Sequence, residues 1–169
     1  MKIQAYLDDL GGGTTHADFV RQHPHFVLIE VDAAETELAL ENAMTERLEP
    51  GAVQRQTQAS RDAEVVVLRL EGPEDAVLVG RAPHCAIVLE HPSVSKEHAR
   101  FSRPPDGGLR LDDLGSTNGT FVNVRRLDPG QAVPVSPDDV LRFGEATGFH
   151  LLDPDGFFHY LGLIRRFGL

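Results

Sequence analysis

GRAPHCAIVLEHPSVSKEHARF (residues 80–101) and LDDLGSTNGTFVN (residues 111–123) carry the texture that decides the fold. Short apolar or β-branched runs, Ala86–Leu89, His98–Phe101, Leu109–Asp112 and Thr120–Asn123, are separated by Ser, Pro, Gly and Asn. Such runs are too short for helices and suit strands that bury one face. The rhythm extends outward, upstream to Phe26–Val31, Val65–Leu70 and Val77–Gly80, and downstream to Ala132–Val135, Val140–Phe143 and Gly148–Leu152. Turn formers lie between the runs: Gly72-Pro73, Pro104–Gly108, Asn118-Gly119, Asp128-Pro129-Gly130 and Ser136-Pro137-Asp138. Many short strands at this spacing predict an all-β sandwich.

Three short pieces stand out on that background. They are Gly80-Arg81 at a strand end, Ser95-Lys96-Glu97-His98 entering a strand, and Gly115-Ser116-Thr117-Asn118-Gly119-Thr120-Phe121. Each is weak alone; in this order and spacing they are specific. Over about residues 77–127 the sequence closely resembles the forkhead-associated (FHA) domain family, and the flanking strands extend the likeness to roughly 64–152. The resemblance implies a β-sandwich of about eleven strands whose loops at one end bind phosphothreonine peptides. It also implies that His98 is architectural, holding the loop that presents Ser95.

The residue chemistry is compatible with that implication. A phosphate monoester brings about −1.5 to −2 charges and three acceptor oxygens. It calls for a guanidinium, hydroxyls and backbone N–H groups in a fixed array. Arg81 supplies the guanidinium, Ser95 and Thr117 hydroxyls, Lys96 a point charge, and Asn118 an amide for the ligand backbone. Gly80 reads as a site of close backbone approach and Gly119 as a turn residue supporting the site. Arg100, Arg103, Arg125 and Arg126 read as solvated face, and Cys85 as a small buried hydrophobe. Ser95 and His98 invite a hydrolytic dyad, but no third triad member can be placed. His84, His91 and His98 recur every seven residues without sharing a helical face, so no metal site is expected. No cofactor motif is present either, and the chain reads as a binding module, not an enzyme.

Outside the motifs, residues 1–63 read as an N-terminal extension or insertion of mixed helix and loop that supplies a first strand at 26–31. The competing layout is a separate helical extension before a domain beginning at Glu64. Thr14 or Thr15 caps a short helix running to about Gln22, which His23-Pro24 ends. Residues 34–48 hold helix formers, and 49–62 form a polar linker. The sandwich spans 64–155. The tail, 156–169, carries Phe157, Phe158, Tyr160, Leu161, Leu163, Ile164 and Phe167, and reads as a last strand or an amphipathic helix over an open end of the sandwich. Asn123-Val124 stands where many members of the resembled family have Asn-Gly, which predicts an altered hairpin.

Composition narrows the partners. The 169 residues include 26 acids and 16 bases, a net charge of −10, which disfavours nucleic acid as a ligand. Residues 77–127 nevertheless carry 5 acids and 7 bases, a local basic patch able to concentrate an anion. One Cys excludes a disulfide framework, and no apolar run approaches the ~20 residues of a membrane span. A soluble, cytoplasmic protein without a secretory signal is expected, with a phosphothreonine-containing protein of a Ser/Thr kinase pathway as partner. The rival expectation is a phosphate-independent interaction or oligomerisation module, based on the apolar tail and the acidic N-terminal segment.

Overall fold

The computed structural model describes residues 1–31, 63–70, 75–105, 107–145 and 147–167. The expected helix at 34–48, the linker at 49–62 and the Gly72-Pro73 turn lie outside the described residues. Two helices come first, α1 (Ile3–Gly11) and α2 (His16–Gln22). Eleven strands follow among the described residues: β1 (Phe26–Val31), β2 (Val65–Leu68), β3 (Ala76–Gly80), β4 (Ile87–Val88), β5 (Ala99–Ser102), β6 (Leu109–Asp113), β7 (Thr120–Val122), β8 (Arg125–Arg126), β9 (Val133–Val135), β10 (Val140–Phe143) and β11 (Thr147–Leu152). Helix α3 (Pro154–Phe167) closes the order.

The strands form a six-stranded sheet, β2-β1-β11-β10-β7-β8, and a five-stranded sheet, β4-β3-β5-β6-β9. Alternate residues point inward from each, so Val79, Phe101 and Leu111 of one sheet meet Leu28, Leu141, Phe143 and Leu151 of the other in the sandwich core. The protein is thus an all-β sandwich with short N-terminal helices. Phe26–Val31 is the first strand, paired antiparallel with both β2 and β11.

A second apolar cluster lies on the outer face of the six-stranded sheet. Val27 and Ile29 of β1, Val65 of β2 and Leu152 of β11 pack there against Ile3, Tyr6, Leu7 and Leu10 of α1, Phe19 of α2, and Phe157, Leu161 and Ile164 of α3. Strand β1 is therefore buried on both faces, which is why its sequence is a near-continuous apolar run. The tail is a helix, but it covers a sheet face and not an open end of the sandwich. Phe157, Leu161 and Ile164 of the tail are buried within the chain, whereas Leu163 is exposed. Thr15 caps α2, its Oγ1 accepting from the Asp18 N–H at 3.2 Å. His16 and Asp155 (2.8 Å) and Arg165 with the Leu10 carbonyl (3.3 Å) tie the helices together.

The Asn123-Val124 connection is a two-residue hairpin, with Val122 opposite Arg125. Asn123 alone takes positive φ (54°), so Val124 sits in backbone a β-branched residue tolerates. The Asn123 side chain locks the turn, its Oδ1 accepting from the Val140 N–H and its Nδ2 donating to Asp139 Oδ1, both at 2.9 Å.

Candidate functional site

Three loops meet beside the ends of β3, β5 and β7, and backbone hydrogen bonds join them. The Arg81 N–H donates to the Ser95 carbonyl (2.9 Å), and the Thr117 N–H donates to Ser95 Oγ (3.0 Å). Ser95 is thereby the link between the loop after β3 and the loop before β7. Its oxygen accepts from Thr117, so the hydroxyl proton is left to donate elsewhere. Arg81 is exposed and uses only Nε within the chain, donating to the Val94 carbonyl at 3.2 Å. That bond fixes the guanidinium plane and leaves both terminal nitrogens without a partner among the described residues.

Lys96 is exposed, and its carbonyl accepts from the Ala82 N–H (3.0 Å) and the Cys85 thiol (3.2 Å). Burial pushes the Cys85 thiol pKa up, as suits a packed side chain. The Lys96 carbonyl also sets the residue at 80: a Cβ there would lie 2.2 Å from its oxygen. Only glycine permits this approach.

His98 is fully buried and serves two loops at once. Its Nδ1 accepts from the Ser95 N–H (3.0 Å), which places the proton on Nε2, donated to the Gly119 carbonyl (3.0 Å). Burial holds the imidazole below its ordinary pKa, against the opposing influence of Gly119 and Asp113. Both ring nitrogens are committed to backbone, and Ser95 Oγ bonds Thr117 instead. Ser95 and His98 therefore do not form a general-base pair.

Asn118 is half-buried, and its Nδ2 donates to the Ser93 carbonyl at 2.8 Å, so the amide also clamps two loops. Gly119 has φ +88°, and its N–H donates to Ser116 Oγ (2.9 Å).

The sequence reading passed over Asp113, which organises the third loop from beneath. One carboxylate oxygen accepts the N–H groups of Gly115 and Ser116 (2.9 Å each), and the other accepts the hydroxyls of Ser116 and Thr120 (2.6 Å each). Burial alone would raise its pKa; these hydrogen bonds prevail and lower it. The signal was present as Asp-x-Gly-Ser, an Asx turn in which the carboxylate caps N–H groups two and three residues on. Ser93 was also missed. Its Oγ accepts from the Glu145 N–H (3.1 Å) and pairs with His91 Nδ1 (2.8 Å), joining the site to the β10–β11 turn.

Known proteins resemble this chain in sequence and fold. Residues 77–144 match the family model of the FHA domain. The chain is 42% identical over 85 residues to kanadaptin of Homo sapiens, a match covering 44% of this chain and 12% of that protein. The fold is similar to the solution structure of the FHA domain of an Arabidopsis thaliana hypothetical protein, with TM-score 0.53 and 23% identity over 76% of this chain and 85% of that one. It is also similar to the N-terminal FHA domain of S. cerevisiae Rad53p in complex with a phosphothreonine peptide, with TM-score 0.50 and 23% identity over 56% of this chain and 87% of that one. The motif order, the paired sheets and the matched interval converge, and the chain carries a forkhead-associated domain.

Proposed function

We propose that this chain binds phosphothreonine in partner proteins and acts as an adaptor downstream of Ser/Thr kinases. The observation that carries the reading is the Ser95 link, which joins the Arg81 loop to the Thr117 loop by hydrogen bonds of 2.9 and 3.0 Å. It gathers an oriented guanidinium, a hydroxyl with its proton to donate, and an exposed threonine, beside the exposed Lys96. A phosphate with three acceptor oxygens suits such a donor set, which gains strength because the bonds are charge-assisted. The Rad53p domain, which has the same fold, was solved with a phosphothreonine peptide, and this supports the same ligand class here. The local basic balance of residues 77–127 adds attraction for an anion within an acidic chain. Asn118, with Nδ2 given to Ser93, retains its carbonyl oxygen for a peptide N–H.

Calorimetric titration with phosphothreonine peptides tests the reading. Arg81→Ala is expected to weaken binding by about 2 kcal/mol or more, while the free energy of unfolding stays within about 0.5 kcal/mol of wild type. Unchanged affinity would reject this site.

A further inference from the structure

Strand β8 lies at the edge of its sheet, and Arg125 and Arg126 on it are both exposed. Neither has a carboxylate partner among the described residues, unlike Arg21 with Asp18 and Arg100 with Asp112. The two are not equivalent. Neighbours along a strand point to opposite faces. A Cβ placed on Gly119 would lie 2.5 Å from Arg126 Nε, 3.0 Å from Cζ and 3.1 Å from Nη2. The Arg126 guanidinium therefore lies across the backbone of Gly119, next to Asn118 and Thr117 of the candidate phosphate loop. Packing on peptide backbone holds the fork in place without neutralising it.

The same face continues as a row. Phe121 stands directly opposite Arg126 across β7–β8 and directly opposite Arg142 across β7–β10, so the three side chains share one face. Arg142 stacks on the Phe121 ring, its Cζ 3.8 Å from the centroid. The phosphate loop is thus flanked by a cationic stripe with an aromatic centre, and Arg126 is its member nearest the loop.

We infer that Arg126 is a specificity residue that reads an acidic side chain close to the phosphothreonine in the bound peptide. The inference rests on the proposed phosphothreonine reading and adds the chemistry of the flanking sequence. An extended peptide advances ~3.3 Å per residue, so a residue a few positions from the phosphothreonine reaches this flank of the loop. A guanidinium fork matches a carboxylate in two parallel hydrogen bonds, and a fork already held in position loses little freedom on binding.

The test is calorimetric titration of the full chain with three phosphothreonine peptides: neutral flanks, Asp residues before the phosphothreonine, and Asp residues after it. Wild type is expected to bind one acidic peptide about fivefold more tightly than the neutral one. Arg126→Gln is expected to abolish that preference and leave affinity for the neutral peptide unchanged. Arg125→Gln is expected to keep the preference. A preference that survives Arg126→Gln, a wild type without preference, or equal weakening of all three peptides would overturn the inference while the phosphate site stands. Failure of wild type to bind any of the three removes both readings.

Discussion

At the scale of single residues, the site is a set of backbone positions fixed by side chains that need not touch a ligand. Gly80→Ala would force a methyl group into the Lys96 carbonyl, and backbone on both sides has little room to give. We expect it to cost about 3 kcal/mol by chemical denaturation, a far larger effect than removing the Arg81 side chain. His98 makes the site acid-sensitive. Its pKa is lowered by burial, so its contribution to stability is present above the ordinary value near 6.5 and lost as pH falls through the folded value. Protonation would also deprive the Ser95 N–H of its acceptor. His23 and His150 are lowered for the same reason and act with the same sign. Stability measured from about pH 7 to pH 5 is expected to fall, and His98→Gln to flatten that slope. Arg81, Ser95, Lys96, Thr117 and Asn118 were singled out through the family resemblance, with which their donor chemistry agrees. The sequence was silent on Ser93 because that role depends on a loop more than fifty residues away, at Glu145.

Among the elements, legibility followed hydrophobic pattern. Strands with inward apolar residues, such as β3, β5 and β10, were readable as alternating or β-branched runs. Strand β8 was not, because it consists of two exposed arginines and exists through its pairing with β7. Helix α1 was not legible either: Ile3, Tyr6, Leu7 and Leu10 follow a helical i, i+3, i+4, i+7 spacing, but over only nine residues, which end at Gly11. Helix α3 is held by Phe157, whose ring meets those of Tyr6 (4.9 Å) and Phe19 (5.7 Å) edge-on or tilted. Phe157→Ala is expected to destabilise the protein by about 3 to 5 kcal/mol in denaturant unfolding. No site hydrogen bond involves α3 among the described residues, so phosphopeptide affinity of the folded fraction should be unchanged.

Over the whole molecule, the chain builds two cores on opposite faces of one sheet. The family match at 77–144 covers neither β1, β2 nor β11, so half of the six-stranded sheet lies outside it. Removing residues 154–169 would uncover Val27, Ile29 and Leu152 on the outer face. Light scattering is expected to show association of that truncated chain, in contrast to the full chain, because exposed apolar sheet surface seeks a partner. The helical cap also explains why the two-layer sandwich reading was incomplete: amphipathic helices with few turns leave a weaker trace than a row of strands.

The double-sided burial of β1 also constrains the order of events at the ribosome. Val27 takes its place against Leu152, a residue far later in the sequence. During vectorial synthesis that apolar ribbon emerges before β11 and waits for it to be translated. For that interval the edge of β1 that faces β11 is an open apolar template for association with another chain.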